Sequence, residues 1–211
     1  MFLSLWKQFS YSVLLIFLFV GLLFPVIGIA AIICMIAPVV VSFFKGRYWC
    51  GNLCPRGNFF DRVITRKNKR RTPRMFSNRY FRLCVLIFLF VNMGLGIYLG
   101  DGSLKSFGLL LYRLILLTTL IGILLGSIYS HRTWCRFCPI GTLSASIAKF
   151  RNKRNKHTLL KIDSACINCK VCTKSCPMHI ETHKYKGNTI THHDCINCKI
   201  CKDSCPNDLI H

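Results

Sequence analysis

The sequence predicts an all-α integral membrane unit of four transmembrane helices in two hairpin repeats, followed by a small α+β domain at the C-terminus. Three observations support this fold class: long uncharged apolar stretches, a cysteine motif that follows two of them, and a cysteine-rich tail. The 211-residue chain is 52% hydrophobic and only 17% charged, so much of its apolar surface is available for lipid. The lipid bilayer is therefore the first expected partner.

The charge-free stretch from residue 8 to residue 44 is too long to be one membrane-spanning helix. Its 37 residues would form a helix of about 55 Å, whereas the hydrocarbon core is about 30 Å thick. A turn within residues 21–28, which contain Pro25 and two glycines, would divide it. One long N-terminal helix, and three spans in all, is the alternative. The four predicted spans are residues 9–25, 27–44, 82–99 and 107–129, each to within a few residues.

Basic residues lie beside the predicted spans. A formal net charge of +22 would suggest nucleic acid as the partner of a soluble protein, but this placement is typical of membrane topology, so no nucleic acid is expected. Twelve lysines and arginines and one acid lie in residues 45–82, against one basic residue in residues 100–106. We therefore expect the basic loop, both termini and the tail on the cytoplasmic side of a bacterial cytoplasmic (inner) membrane. The predicted domains are a transmembrane domain (1–150), a basic linker (151–162) and a C-terminal domain (163–211).

The tail contains the most specific pattern of the sequence. CINCKVCTKSCP at 166–177 and CINCKICKDSCP at 195–206 each have two, two and three residues between their cysteines. Three thiolates in so short a loop cover one face of a 4Fe-4S cube, and the fourth reaches the neighbouring cluster. Proline after the last cysteine, twice over, disfavours a zinc ribbon. The first ligand set is Cys166, Cys169, Cys172 and Cys205, and the second ligand set is Cys195, Cys198, Cys201 and Cys176.

A motif with two cysteines follows both the second and the fourth span. Residues 47–57 read RYWCGNLCPRG and residues 132–141 read RTWCRFCPIG, which predicts an internal duplication. Trp49 and Trp134 are expected at the lipid headgroup level. The four-thiol site consists of Cys50, Cys54, Cys135 and Cys138. Spacing alone leaves open a third iron–sulfur cluster, redox-active dithiols, a structural disulfide and unpartnered loop cysteines.

These motifs make residues 163–211 resemble a bacterial two-cluster ferredoxin. The larger pattern of spans, W-C-x2 or x3-C-P motifs and such a tail resembles the NapH-type membrane polyferredoxins, the quinol dehydrogenase subunits of periplasmic nitrate reduction. The resemblance implies a ferredoxin-like α+β domain in the cytoplasm and electron transfer through the membrane portion to a partner. One departure is the gap between Cys135 and Cys138, which is one residue shorter than in the nitrate-reduction members.

The sequence leaves two functions open. The first is a membrane-anchored electron-transfer protein that relays electrons between the quinone pool or a cytoplasmic donor and a partner redox enzyme. The alternative is an assembly or regulatory factor that reduces a metal or a disulfide during maturation of a respiratory enzyme. GLGIYLG at 94–100 lacks the dinucleotide spacing, so nicotinamide and flavin are not expected. The expected cofactors are two 4Fe-4S clusters, with a third cluster or redox dithiols, and quinone, as further candidates.

Overall fold

A computed structural model describes residues 2–64, 72–152 and 160–211, and most of them are helical. The α-helices of these residues are α1 (Phe2–Leu23), α2 (Ala31–Lys45), α3 (Tyr48–Asn52), α4 (Pro55–Val63), α5 (Arg79–Tyr98), α6 (Leu104–Ile128), α7 (Thr133–Phe137), α8 (Pro139–Asn152), α9 (Val171–Ser175) and α10 (Ile200–Asp203). Short 3-10 helices cover Pro25–Ala30, Arg74–Ser77 and Thr182–Tyr185.

Within the described residues, four helical segments are long and apolar enough to cross a membrane, which confirms the predicted number. They are Trp6–Leu23, Val26–Lys45, Arg79–Tyr98 and Leu104–Ile128. The predicted turn near Pro25 is also confirmed, because α1 ends at Leu23 and a 3-10 helix begins at Pro25. Proline has no amide hydrogen to donate, so it starts a new helix more easily than it continues an old one.

The outward faces of these four segments are apolar. Phe19 on α1 is 70% exposed, Phe88 on α5 is 66% exposed and Leu124 on α6 is 62% exposed. Exposed apolar surface on this scale has no favourable contact with water, whereas lipid chains can cover it. The exposure pattern therefore agrees with a membrane location for the four helices.

The packing repeats in the two halves of the membrane unit. Helix α4, which follows the first cysteine motif, packs against α1 of its own half and α6 of the other. Helix α8, which follows the second motif, packs against α5 of its own half and α2 of the other. Each post-motif helix thus contacts spans from both halves, and this brings the two motifs to the same end of the unit.

An aromatic core lies beneath this end. Phe60, Trp134 and Phe137 are buried in it, with Trp134 only 5% exposed. The Trp134 ring makes an edge contact with Phe137 at a centroid distance of 4.9 Å, and the Arg56 guanidinium lies 4.7 Å from its ring centroid. Protein side chains therefore cover the Trp134 indole, and the position of Trp49 and Trp134 at the lipid headgroup level stays a prediction.

The tail contains α9, α10 and isolated β-bridges, and residues 160–211 contain no strand. Ile162 forms single bridges to Lys186 and Ile210, and Lys161 forms one to Thr189. The α+β, ferredoxin-like form expected for this domain is thus not supported. Each pairing covers too few residues for a strand, because the cysteine loops occupy most of the segment. The predicted domain boundaries stay predictions, and residues 153–159 of the predicted linker lie outside the described residues.

Candidate metal centres and their contact

The four-thiol site forms where the two post-motif helices begin. Cys54 is the N-cap of α4 and Cys138 directly precedes α8, and a proline is the first residue of each helix. The nearby Gly57 amide favours the thiolate form of Cys54 and so opposes the rise in its pKa. Amides at a helix N-terminus favour negative charge, so both positions suit a thiolate.

Cys135 and Cys138 lie close enough to oppose the ionisation of Cys50 and Cys54. Burial, with neighbouring Cys50 and Cys135, raises the pKa of Cys54 to about 12. Burial also raises the pKa of Cys50, whose ionisation Cys135 and Cys138 oppose and Arg47 favours. As free thiols, these groups would be protonated at neutral pH. A bound metal would reverse this, because a metal ion stabilises the thiolate it binds.

Two buried arginines cross between the repeats. Arg47 donates from Nη2 to the Cys135 carbonyl at 2.6 Å, and Arg132 donates from Nη1 to the Cys50 carbonyl at 2.6 Å. Both side chains are 1% exposed. The first arginine of each motif therefore holds the first cysteine of the other motif, which ties the two thiol pairs into one site.

The glycine of each Cys-Pro-x-Gly sequence makes room for the crossing arginine. A Cβ atom on Gly57 would lie 2.5 Å from Arg132 Nη1, and a Cβ on Gly141 would lie 2.6 Å from Arg47 Nη2. Both distances are shorter than van der Waals contact allows, and the clashing atoms belong to side chains held by hydrogen bonds. The motif thus needs its arginine and its glycine as well as its cysteines.

The carboxylates that pair with these arginines come from different parts of the chain. Arg132 donates from Nε to Asp61 at 2.7 Å, within the membrane unit. Arg47 donates to Asp194 of the tail at 2.9 Å, and Arg82 donates to both carboxylate oxygens of Asp194 at 2.9 Å each. Burial opposes ionisation of Asp194, but the Arg82 hydrogen bonds and the charges of Arg47 and Arg82 hold its pKa well below the usual range.

Guanidinium groups outnumber carboxylates around the four-thiol site. Three arginines lie beside the thiols and two more lie towards the tail, so five arginines share two aspartates and leave three positive charges in excess at this end of the membrane unit. The arginines are Arg47, Arg56, Arg82, Arg132 and Arg136, and the aspartates are Asp61 and Asp194. Arg56 has no hydrogen-bond partner at Nε or Nη2 among the described residues. A buried excess of positive charge is costly unless an anionic group neutralises it, and a cluster held by four thiolates is such a group.

The second ligand set lines one cavity in the tail, together with Met178, Ile180 and Ile196. Burial raises the pKa of Cys195 and Cys201 to about 12. Hydrogen bonding by backbone amides opposes the rise in pKa at three of the sulfurs, from Ile180 and Met178 at Cys176, from Asn197 at Cys195 and from Ile200 at Cys198. Such amide–sulfur hydrogen bonds surround the thiolates of iron–sulfur sites and tune their potential, so these residues fit a 4Fe-4S cluster.

Members of the first ligand set pack around an apolar core formed by Leu160, Ile162, Ile190 and Ile210, which Cys195 and Cys201 of the second set also contact. Cys172 is buried there, and Cys166 and Cys205 pack against the same core at its edge. Cys169 is exposed. The first set therefore has three thiols on one core and a fourth that faces solvent.

The two motif copies of the membrane unit contact the loops of the second ligand set directly. Cys50 and Cys135 of the four-thiol site pack against the same apolar residues as Cys176, Cys195 and Cys198. In addition, Asn52 Nδ2 donates to the Asn197 carbonyl at 3.2 Å and Arg136 Nη2 donates to the Met178 carbonyl at 2.6 Å. The four-thiol site and the second ligand set are thus neighbours, with no solvent-filled gap between their contact residues.

His192, His193 and Asp194 also bring three metal-binding side chains together, within 4.8 Å of one another. A cation at this position would face the two guanidinium groups that already bind Asp194. The His192 ring also accepts a hydrogen bond from the Asp194 amide at 3.1 Å. The local charge therefore disfavours a metal ion here.

Sequence reasoning found the twelve motif cysteines but not the charged residues that hold them. Arg47 and Arg132 occur at equivalent places in both motif copies, which was the available signal for a shared role. Asp61 and Asp194 are two of only seven acids in a chain with 29 lysines and arginines. A rare acid next to a cysteine motif could therefore have been singled out.

Comparison with protein families agrees with this arrangement. A 4Fe-4S binding domain matches twice, at residues 27–73 and 112–157, so each match contains one copy of the two-cysteine motif. A 4Fe-4S dicluster domain matches residues 165–210. The double match confirms the predicted internal duplication, and both domains support 4Fe-4S clusters as cofactors.

Curated relatives come from an archaeon and a bacterium. The chain is 30% identical over 164 residues to Uncharacterized protein MJ0749 of Methanocaldococcus jannaschii, across 72% of this chain and 60% of that protein. It is 29% identical over 165 residues to Uncharacterized protein MJ0750 of the same organism, across 70% and 65%. It is 24% identical over 183 residues to "Putative electron transport protein YccM" of Escherichia coli, across 76% and 49%.

The chain spans 49% to 65% of the length of these curated relatives. No solved structure matches. The matches to 4Fe-4S domains, together with the similarity to the Escherichia coli protein named for electron transport, support an iron–sulfur electron-transfer protein.

Proposed function

We propose that the chain is a membrane-anchored relay that conducts electrons through three adjacent sites. In order, these are the four-thiol site, the second ligand set and the first ligand set. Bound 4Fe-4S clusters would supply one-electron redox chemistry at each site. The observation on which this proposal depends is the direct contact between the four-thiol site and the loops of the second ligand set.

The excess of positive charge favours a third cluster over redox dithiols at the four-thiol site. Two protonated dithiols, or two disulfides, would leave the excess positive charge, above all that of Arg56, without a counter-charge. An anionic cluster held by Cys50, Cys54, Cys135 and Cys138 would neutralise them. The protein's own contribution is to fix the four sulfurs at two helix N-termini and to exclude water from them.

For the membrane end of the relay we propose a quinone as the reactant, as in a NapH-type quinol dehydrogenase subunit. The four-thiol site lies where the second and fourth spans end, so it is the redox site nearest to the lipid phase. Lysine and arginine are concentrated in the loop at this end, and such loops usually face the cytoplasm. We therefore propose that the tail faces the cytoplasm of a bacterial cell and that the other end of the relay is a partner redox protein.

Iron analysis of the full chain tests the third cluster. Two cubes give roughly eight irons per chain and three give roughly twelve. We expect anaerobically purified protein to contain the larger number, and Cys54→Ser and Cys138→Ser each to lower it toward the smaller. Cys84→Ser is the matched control, because Cys84 is exposed on the span α5 and belongs to none of the cysteine motifs.

The opposite result would refute the third cluster. Roughly eight irons in the parent chain, with electron transfer unchanged in both serine variants, would leave the four-thiol site without a role in the relay. Roughly eight irons with electron transfer lost in both variants would instead indicate redox-active dithiols.

A further inference from the structure

The two cysteine loops of the tail share a pentapeptide and a backbone conformation. Residues 166–170 and 195–199 both read CINCK. The asparagines have φ of 58° at Asn168 and 51° at Asn197, and the lysines have φ of 62° at Lys170 and 65° at Lys199. Any difference in exposure between the two loops therefore comes from what covers them.

The second loop is covered by the membrane unit. Ile196 is 2% exposed and lies against α3, where a Cβ atom on Gly51 would be only 2.0 Å from the Ile196 carbonyl oxygen. The next residue of α3, Asn52, donates its hydrogen bond to the Asn197 carbonyl. Electron transfer between the four-thiol site and the second ligand set would thus cross a surface made of this loop.

The first loop has the same side chains but no cover. Ile167 is 66% exposed, and it is the one large apolar side chain of residues 160–211 with that degree of exposure. The adjacent ligand Cys169 is exposed as well. Since the equivalent Ile196 packs against α3 in the second loop, the exposed Ile167 beside an exposed ligand offers the same kind of contact to another protein.

The charges around the first loop are positive. Lys170 and Lys174 are exposed, and residues 166–177 contain no acid. The preceding acid, Asp163, accepts hydrogen bonds from the Ala165 amide at 3.0 Å and the Ser164 hydroxyl at 3.2 Å, so it is directed at its own turn. A partner for this surface should therefore present acidic groups around an apolar contact.

We propose that residues 166–174 form the docking surface for a soluble, acidic electron-transfer protein, which contacts Ile167 as α3 contacts Ile196. This inference rests on the proposed relay and identifies its outer end. In the donor direction, one electron leaves the partner's reduced cofactor and enters the chain at the first ligand set, and no bond forms or breaks.

Reduced flavodoxin, an acidic soluble carrier, is a suitable probe for this surface. The oxidised, cluster-loaded full chain in detergent is mixed with flavodoxin hydroquinone, and the rate of semiquinone formation is measured by stopped flow at low salt. The variants are Ile167→Asp and Lys170→Glu. Lys186→Glu is the matched control, because it makes the same charge change at an exposed lysine of the tail outside both cysteine loops. Iron content and reduction by methyl viologen radical, a small donor that needs no docking surface, are measured for every protein.

We expect both variants to react with flavodoxin at least about tenfold more slowly than the parent and the control. Added salt should slow the parent reaction, because it screens the attraction between acidic and basic groups. The rate of reduction by methyl viologen radical should stay within about twofold of the parental rate in the variants and the control, because this small donor does not need the docking surface.

Three results would overturn the inference. If both variants react with flavodoxin at the parental rate, the surface is not used for docking. The same conclusion follows if methyl viologen radical reduces the parent protein and flavodoxin does not. A change from dimer to monomer in Ile167→Asp, measured by light scattering, would identify a second copy of this chain as the occupant. A parent that loads iron but accepts no electron from methyl viologen radical would refute the proposed relay itself.

Discussion

Asp194→Asn is expected to detach the tail from the membrane unit. The carboxylate is 9% exposed and accepts three hydrogen bonds at 2.9 Å, one from Arg47 and two from Arg82. The amide keeps the shape but removes the charge, so two buried guanidinium groups would face each other without a counter-charge. Removing one member of a buried ion pair costs about 3–5 kcal/mol. Since about 1.4 kcal/mol is a factor of ten, the docked state should lose roughly a hundredfold to a few thousandfold in population.

Hydrogen–deuterium exchange of the cluster-loaded chain in detergent measures this effect. Exchange should rise in residues 47–54 and 192–199, which form the two sides of the contact. It should stay at the parental level in residues 160–163, because their hydrogen bonds to the rest of the tail, such as the one from the Lys161 amide to the His211 carbonyl, do not involve the membrane unit. Adding Arg82→Leu should restore part of the protection, because it removes one of the two uncompensated cations.

Two outcomes would contradict this reasoning. Parental exchange in both contact segments of Asp194→Asn would mean that the ion pairs do not hold the tail. Faster exchange throughout the chain would mean that Asp194 supports folding as a whole and not the contact. Asp61→Asn is the comparison, since Asp61 pairs with the equivalent arginine of the other repeat but within the membrane unit, and it should leave residues 192–199 protected.

Three further predictions concern packing, topology and cluster ligation. Gly141→Ala should lower the thermal stability of the detergent-solubilised chain, because its Cβ would lie 2.6 Å from a guanidinium nitrogen of the opposite repeat, whereas Gly94→Ala, with no atom within 4 Å, should not. A reporter that is active only outside the cytoplasm should be silent after His211 and active near Gly102, and the reverse pattern would refute the orientation. Cys176→Ser should alter the paramagnetic resonance signal of the second ligand set and spare the first, and loss of the first signal instead would refute the crossed ligation.

The membrane spans could be predicted from the sequence because hydropathy is a local property. Each span is a long and predominantly apolar stretch, and the break at Pro25 follows from the missing amide hydrogen of proline. The cysteine motifs were equally readable, since their ligand spacing is set within a dozen residues. The single β-bridges from Ile162 to Lys186 and Ile210 were not predictable, because they depend on how the folded cysteine loops bring three distant segments of the tail together.

The partners of the buried arginines could not be read from the sequence. Arg47 and Asp194 are 147 residues apart, and Arg132 and Asp61 are 71 residues apart. No periodicity connects positions at such separations, and with 29 basic residues and seven acids each acid has many candidate partners. The repeat identifies which arginines matter, but the choice of carboxylate depends on tertiary packing.

The two repeats of the membrane unit differ in the carboxylate that pairs with their crossing arginine, and this difference determines which repeat binds the tail. The two motifs are equivalent in their cysteines, their crossing arginines and their glycines, so by themselves they offer two similar surfaces for a redox partner. Arg132 of the second repeat pairs with Asp61, which belongs to the membrane unit. Arg47 of the first repeat pairs instead with Asp194, which directly precedes Cys195, the first cysteine of the second ligand set. The tail can therefore dock in one register, with its second ligand set against the four-thiol site. In the proposed relay, the first ligand set would then be the part that remains open to another protein.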